Sequence, residues 1–574
     1  MKRLVTDILI LGSGGAGLFA ALHAHAADPE LKIAIAVKGL LGKSGCTRMV
    51  QGGYNVALAP GDSVERHFMD TIEGGKWLND QDLAWALVTG AQVRIRELEH
   101  EFGCFFDRNP DGTVHQKAFA GQSFDRTVHK GDLTGIEIVN RLAEQVWARG
   151  ILRLEDHRAI ELIKDEAGDA LSGVLFIDMR SGRLVFVQAK AVLLATGGGP
   201  TMYKYHTPSG DKSCDGMAMA LRAGLTLRDM EMVQFHPTGL LAGPDTRMTG
   251  TVLEEGLRGA GGHLLNRDGE RFMAAYDPRA ERATRDVVSR AIFDQIRTGA
   301  GTKLGGVYLE MGHLGADRVR KEFKGMVERC ADCGFDLAAG RVEVVPTAHY
   351  MMGGVVFDLS GATELPGLFA AGEDTGGVHG ANRLGGNGVA NSTVFGALAG
   401  DAMAKWVAEA GRLCPPDHAA IESAILRARA PLARPAGDVE AVREALHELM
   451  WEDVGIARDA GGLKRAIDGL EALDAELEAI GVGEDGLAFD LTWHDWLNLK
   501  SLILASRAIA AAALAREDSR GAHYRSDFPA TSDLATSTYT CVKMAGRSLC
   551  VDMRPVAFTR VRPGESLLRD AAAE

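Results

Sequence analysis

The sequence predicts an α/β fold in which one parallel-sheet domain is interrupted by an insertion and followed by a helical domain. Three observations predict it. A strand–turn–helix–strand unit opens the chain, and apolar strands that run into glycines recur at three widely separated places. After about residue 412 the composition changes, and Ala, Leu, Glu and Arg dominate in helical periodicity.

The opening segment has the order and size of a βαβ unit of a Rossmann-like fold. A strand at 7–11 runs into a glycine turn and a helix, and a second strand follows at 32–37. In the turn, Gly12 permits the tight bend, Gly14 lets the backbone approach a pyrophosphate and Gly17 lets helix pack on strand. The helix N-terminus offers its N–H groups to phosphate. These features predict a dinucleotide site made by Gly12, Ser13, Gly14, Gly15, Ala16 and Gly17.

Two later strands, 191–196 and 367–371, have the same shape as the first. We interpret all three as parts of one nucleotide-binding domain with an insertion between the second and the third. The predicted parts are a nucleotide-binding domain (1–230 and 350–412), a capping domain (231–349), a C-terminal helical domain (413–530) and a C-terminal tail (531–574).

Composition limits the classes of partner. The net charge of −14 argues against nucleic acid, which needs a basic surface. The eight cysteines are dispersed with a single CxxC at 330–333, so we predict no metal site. No stretch approaches about 20 uncharged apolar residues, so we expect no direct membrane insertion. The expectation is a cytoplasmic protein, with any attachment to the inner membrane made through a partner.

Motifs further along the chain indicate which family of dinucleotide-binding proteins the chain resembles. Together they resemble, in the same order and over about residues 5 to 530, the succinate dehydrogenase/fumarate reductase flavoproteins, a family that includes L-aspartate oxidase. The motifs are Ser44-Gly45-Cys46-Thr47, Gln51-Gly52-Gly53, DMEMVQFHPTG (229–239), EGLRG (255–259), RDVV (285–288), PTAHYMMGG (346–354), HGANRLGGN (379–387) and EDSRGAHYR (517–525).

Four residues of these motifs suit a carboxylate substrate by their chemistry alone. Arg285 and Arg383 lie in glycine-punctuated segments, and arginine clamps a carboxylate with paired N–H bonds. His236 and His349 add hydrogen-bond donors. The resemblance implies that His236, His349 and Arg383 hold the substrate against FAD, which exchanges hydride with a carbon–carbon double bond. It further implies that Arg285 moves a proton, relayed through Glu255 and Arg258.

The resemblance also implies which residues contact the flavin. Besides the glycine turn, the residues at matching positions are Lys38, Ser44, Cys46, Thr47, Gln51, Gly52, Gly53, Thr196, Gly197, Asp215, Glu373, Arg383 and Asn387.

One departure from the family concerns the cofactor's attachment. The family's membrane-bound enzymes tether FAD to a histidine, and the corresponding residue here is Cys46. The usual covalent link is therefore impossible, and we predict non-covalent FAD, with a thioether to Cys46 as the alternative.

A second departure concerns the substrate. The family usually has threonine where this chain has Glu254, and that hydroxyl touches a substrate carboxylate. A glutamate there repels a carboxylate unless it is neutralised. Two interpretations stay open: the substrate carries an amine, an imidazole or a neutral polar group at that end, or Glu254 turns away to an arginine.

Three functions follow from these observations. The leading hypothesis is an FAD-dependent oxidoreductase that acts on the carbon–carbon bond of a small dicarboxylate or analogue, most simply fumarate or succinate. The rival enzyme is an L-aspartate oxidase. The third is an electron-transfer subunit that works only with an iron–sulfur partner, because the chain's own cysteines do not suit a cluster.

Overall fold

A computed structural model describes residues 1–243, 246, 248–483 and 486–568. The strands are β1 (Lys2–Leu11), β2 (Ile33–Ala36), β3 (Tyr54–Asn55), β4 (Gln116–Lys117), β5 (Thr127–Val128), β6 (Leu152–Leu154), β7 (His157–Lys164), β8 (Leu171–Asp178), β9 (Arg183–Leu194), β10 (Leu227–Arg228), β11 (Val233–Leu240), β12 (His263–Leu265), β13 (Val307–Glu310), β14 (Arg341–Met351), β15 (Gly354–Val355), β16 (Leu368–Ala370), β17 (Thr538–Ala545) and β18 (Ser548–Pro555).

The α-helices are α1 (Gly15–Ala27), α2 (Val64–Gly74), α3 (Gln81–His100), α4 (Thr134–Ala148), α5 (Asp215–Arg222), α6 (Gly256–Gly259), α7 (Arg285–Arg297), α8 (Ala316–Glu322), α9 (Lys324–Ala331), α10 (Asn387–Glu409), α11 (His418–Arg429), α12 (Val439–Asp453), α13 (Ala460–Ala479) and α14 (Leu491–Ala515).

The three strands that run into glycines are neighbours in one sheet. Its order is β6-β2-β1-β9-β8-β7, with β16 also paired to β9. The pairs β1–β9 and β9–β16 are parallel, and their registers place Leu11, Leu194 and Ala370 side by side. All three glycine turns therefore meet at one edge, where open parallel sheets bind ligands. The predicted α/β fold is confirmed.

The inserted segment has a sheet of its own. Its strand order is β11-β14-β13-β12, and the apolar face packs around Leu257, Val288 and Leu309. Strand β14 ends at Met351, two residues past the predicted boundary at 349. The exact domain boundaries stay a prediction, but this sheet brings His236 on β11 beside His349 on β14.

The C-terminal part combines helices and a hairpin. Helices α12, α13 and α14 pack on one another through Leu446, Leu470 and Leu502. The segment that the sequence predicts only as a tail forms the antiparallel hairpin β17–β18, which adds to the edge of β10. This hairpin thus completes a sheet whose strand β10 lies more than half a chain earlier in the sequence.

Among the described residues, α14 is the one helix long and apolar enough to cross a membrane by length and composition. Of its most apolar stretch, 67% is buried inside the molecule. Such burial is typical of the core helix of a folded domain.

Candidate active site

The edge where the three glycine turns meet opens into a cavity of about 690 Å³. This volume lies within the range of cofactor pockets, about 300–1,000 Å³. The wall contains most of the residues that the sequence predicts for the site. These are Gly12, Ser13, Gly14, Gly15, Ala16, Lys38, Ser44, Cys46, Thr47, Gln51, Gly52, Gly53, Thr196, Gly197, Asp215, His236, Glu254, Glu255, Arg285, His349, Glu373 and Arg383.

Three predicted residues lie outside the wall. Gly17 packs inside the glycine turn, where a Cβ would meet the carbonyl oxygen of Gly12 at 2.1 Å. Arg258 is buried behind Glu255. Asn387 is fully buried and does not line the cavity; its side chain hydrogen-bonds to Asn55 and His67.

The glycine turn fits a dinucleotide phosphate. Gly12 has φ +112°, and a Cβ there would lie 2.1 Å from the carbonyl oxygen of Ala195. Gly14 and Gly15 then open α1, whose N-cap has no side-chain hydrogen bond. The amide of Gly15 donates to Thr47 Oγ1 at 3.1 Å, which brings the Ser44–Thr47 loop against the helix end. Ser13, Gly14 and Ala16 line the cavity beside this helix N-terminus, the place where phosphates bind in such turns.

An ion pair lies in the cavity wall where the second strand ends. Lys38 Nζ lies 2.7 Å from Asp215 Oδ2, and Arg158 lies 3.1 Å from Asp215 Oδ1. Burial lowers the pKa of Lys38 to about 8. Burial alone would raise the pKa of Asp215, but Lys38 and Arg158 hold it below its usual range. The two predicted cofactor residues thus form one preorganised polar group.

Carboxyl groups at the end of β16 organise the neighbouring strand. Asp374, which the sequence analysis missed, accepts hydrogen bonds from the amide of Gly197 (3.1 Å) and the hydroxyl of Thr196 (2.9 Å). Glu373 accepts from the amide of Met351 at 3.0 Å. Burial raises the pKa of both carboxyls to about 7. The position of Asp374, directly after a predicted cofactor residue, was the available sequence signal.

Arg383 is a buried cation at the other end of the cavity. Its guanidinium lies 4.3 Å from the centre of the Tyr350 ring, and its Nε has no hydrogen-bond partner among the described residues. No carboxylate in the described part of the chain forms an ion pair with it. Burial and the neighbouring Arg285 lower its pKa to about 10. A buried charge of this kind calls for an anionic partner.

Two histidines flank this arginine. The His236 and His349 rings lie 5.4 Å apart, and Thr207 Oγ1 lies 2.9 Å from His349 Nδ1. Burial and Arg285 hold the pKa of both histidines well below the usual range, so both are neutral. The amide of Thr238 donates to His236 Nδ1 at 3.3 Å, which leaves the proton on Nε2. His236 therefore remains a neutral donor.

A chain of buried charges leads away from the cavity. Arg285 donates to Glu255 Oε2 at 2.8 Å and to Gln234 at 3.0 Å, and Glu255 Oε1 accepts from Arg258 at 3.1 Å. Arg258 also donates to the carbonyl of Glu281 at 2.6 Å. Burial would raise the pKa of Glu255, but its two arginines lower it, so the carboxylate is charged. The geometry allows protons to pass along Arg285, Glu255 and Arg258.

Glu254 is buried in the wall of the same cavity. Its carboxylate pairs with Lys117 at 3.4 Å rather than with an arginine. Arg329 also lines the cavity, donating to the carbonyl of Val252 at 2.8 Å. Lys117 and Arg329 carry no motif, so the sequence had no signal for either.

Two known protein families match this chain, one over its N-terminal two thirds and one near its C-terminal end. The family described as "FAD binding domain" matches residues 7–389, and "Fumarate reductase flavoprotein C-term" matches residues 443–567. A fumarate reductase (CoM/CoB) subunit from Methanothermobacter marburgensis is 42% identical, over 92% of this chain and 95% of its own. The chain belongs to the succinate dehydrogenase/fumarate reductase flavoprotein family.

Other members of this flavoprotein family agree in sequence and structure. The flavoprotein subunit of 8-methylmenaquinol:fumarate reductase from Wolinella succinogenes is 34% identical, over 94% of this chain and 88% of its own. A FrdA variant of E. coli quinol fumarate reductase superposes with a TM-score of 0.92 at 33% identity, covering 98% of this chain and 99% of that one.

The flavoprotein is therefore an FAD-dependent oxidoreductase of the fumarate reductase/succinate dehydrogenase type, acting on a CH–CH bond. The comparisons confirm the leading hypothesis and do not favour the L-aspartate oxidase alternative.

Proposed function

We propose that this flavoprotein reduces fumarate, or a close C4 dicarboxylate, at the cavity between the glycine turns and the inserted domain. Buried Arg383, without a carboxylate partner among the described residues, carries the proposal. A substrate carboxylate supplies the missing negative charge, and guanidinium matches it with paired donors. The neutral His236 and His349 add donors without adding further positive charge.

Some residues of the cavity bind the substrate, and others transfer a proton to it. Bound FAD supplies hydride transfer to or from the carbon–carbon bond. Arg383 and the two histidines fix the substrate, and the buried walls exclude water. Arg285 donates a proton to the substrate carbon. Arg258 and Glu255 then return a proton to Arg285. Glu255 stays charged because Arg285 and Arg258 lower its pKa. It can therefore accept a proton from Arg258 and pass it to Arg285.

A turnover assay with a matched variant tests this function. Purified protein should oxidise a reduced viologen dye in the presence of fumarate. Arg383→Gln removes the charge that binds the carboxylate, and charge-assisted bonds contribute about 1.5–3 kcal/mol each. We therefore expect the KM for fumarate to rise by about tenfold or more. Absence of dye oxidation in the wild type, with L-aspartate-dependent oxygen uptake instead, would contradict the proposal.

FAD is, we propose, held without a covalent bond. Cys46 occupies the predicted tether position and lines the cavity. Burial and the negative charge of Glu373 raise the pKa of its thiol to about 12, which opposes formation of the nucleophilic thiolate. Acid precipitation should therefore release all yellow colour into the supernatant, whereas flavin in the washed pellet would show a covalent link.

An iron–sulfur electron-transfer subunit is the partner we propose. The M. marburgensis and W. succinogenes relatives are both named as subunits, which describes them as parts of larger enzymes. The cysteines of this chain are scattered between the sheet, the insertion and the hairpin, so they do not suit a cluster. Electrons then pass between FAD and a separate carrier, and any association with the inner membrane is peripheral and made through that carrier.

A further inference from the structure

Glu254 places a negative charge beside a site built for a carboxylate. It is 6% exposed and lies in the cavity wall. If its carboxylate faced a dicarboxylate substrate directly, the like charges would repel each other in a poorly solvated place. The orientation of this one side chain therefore affects whether a dianion can bind.

The carboxylate of Glu254 pairs with a lysine that lies outside the cavity wall. Oε2 lies 3.4 Å from Lys117 Nζ. Oε1 lies close over Gly256, 3.1 Å from the position that a Cβ would take there. Arg329 lies in the same wall and also interacts favourably with the charge of Glu254. Among the described residues, Lys117 is the cation that pairs directly with this carboxylate, through Oε2.

Lys117 is held in place by a short strand of the nucleotide-binding part. It lies on β4, paired in register with Thr127 of β5. The preceding residue, Gln116, donates to the carbonyls of Val56 and Arg126, both at 2.8 Å. Among the described residues, Glu254 is the one ion-pair partner of Lys117. Because β4 belongs to the nucleotide-binding part and Glu254 to the insertion, the pair also bridges the two parts at the cavity wall.

We propose that Lys117 is a positioning residue for specificity: it neutralises Glu254 and holds its carboxylate away from the substrate, so that a dianionic dicarboxylate is accepted. This inference rests on the proposed fumarate reduction. It explains how the flavoprotein tolerates a glutamate at a position where a carboxylate binds. It also removes the need for an amine or imidazole on the substrate.

A double-mutant cycle tests the proposal with the FAD-loaded protein and fumarate. In Lys117→Met, Glu254 loses its cation, and we expect the KM for fumarate to rise about tenfold or more while kcat stays within about twofold. Glu254→Gln should have little effect on KM. The double variant Lys117→Met/Glu254→Gln should recover the wild-type KM, because no charge remains to repel the substrate.

The controls separate charge from folding and from the function itself. Lys130→Met removes a lysine of the neighbouring loop, which pairs with Asp107, and should leave KM unchanged. A KM within about twofold of wild type in Lys117→Met, or a raised KM that persists in the double variant, would overturn the proposal. If the wild type neither turns over fumarate nor shows a flavin absorbance change with it, the proposed function itself fails, and this inference with it.

Discussion

Arg285→Lys is expected to lower kcat for fumarate reduction by about 10³-fold, the scale of a lost general acid. Arg285 uses separate nitrogens to bond Glu255 and Gln234, at 2.8 and 3.0 Å. A lysine ammonium is a single point charge and cannot reproduce this fork. The proton donor is then misplaced and its link to Glu255 is broken. Steady-state oxidation of reduced dye measures the loss.

The matched control is Arg297→Lys, at the last and exposed end of the same helix, α7. It should retain wild-type kcat. The FAD-to-protein absorbance ratio should be normal in both variants, since neither arginine contacts the glycine turn. Arg285→Lys activity within about tenfold of wild type would exclude this residue as the proton donor.

Gly17→Ala is expected to yield protein without FAD, and therefore without activity. The added Cβ would lie 2.1 Å from the carbonyl oxygen of Gly12 and 3.2 Å from a methyl carbon of Ile10. Since the first contact is with backbone, no side-chain rotation relieves it, and the turn that presents amides to phosphate must shift. The FAD-to-protein ratio, measured by absorbance after purification, checks this expectation.

Gly210→Ala is the control, because a Cβ there meets no heavy atom within 4 Å. It should purify with a full complement of FAD. Circular dichroism on Gly17→Ala distinguishes a lost site from a lost fold: native helix content without flavin supports the prediction. Stoichiometric FAD in that variant would contradict it.

The sequence predicted the parts of the structure that depend on local patterns. Gly12 and Gly17 mark a turn whose backbone has no room for side chains, and each strand that precedes such a turn is a continuous apolar run. Because connections in α/β folds obey strict rules of handedness and order, these signals also predict that the turns meet at one edge. His236, His349 and Arg383 were found through motifs, and the structure brings them together in one cavity.

Other features had no local signal. Strand β18 is mostly exposed, so it lacks a strong alternation of apolar residues. It pairs with β17, which pairs with β10, so this sheet joins segments that are far apart in sequence. Asn387 matched a flavin-contacting position, yet its amide is taken up by Asn55 and His67. The hydrogen-bond partners of a buried side-chain amide depend on its neighbours in space, which the local sequence does not specify.

The sequence by itself therefore predicted the fold class, the dinucleotide site and the arginine and histidine residues proposed to bind a carboxylate, because glycine turns, strand periodicity and arginine–histidine motifs are carried by neighbouring residues. Only the tertiary structure showed which cation pairs with Glu254. Its partner, Lys117, lies on a short strand of another domain, 3.4 Å away in space and far away in sequence. Electrostatic energy depends on distance through space, and that distance exists only once the insertion has packed over the sheet.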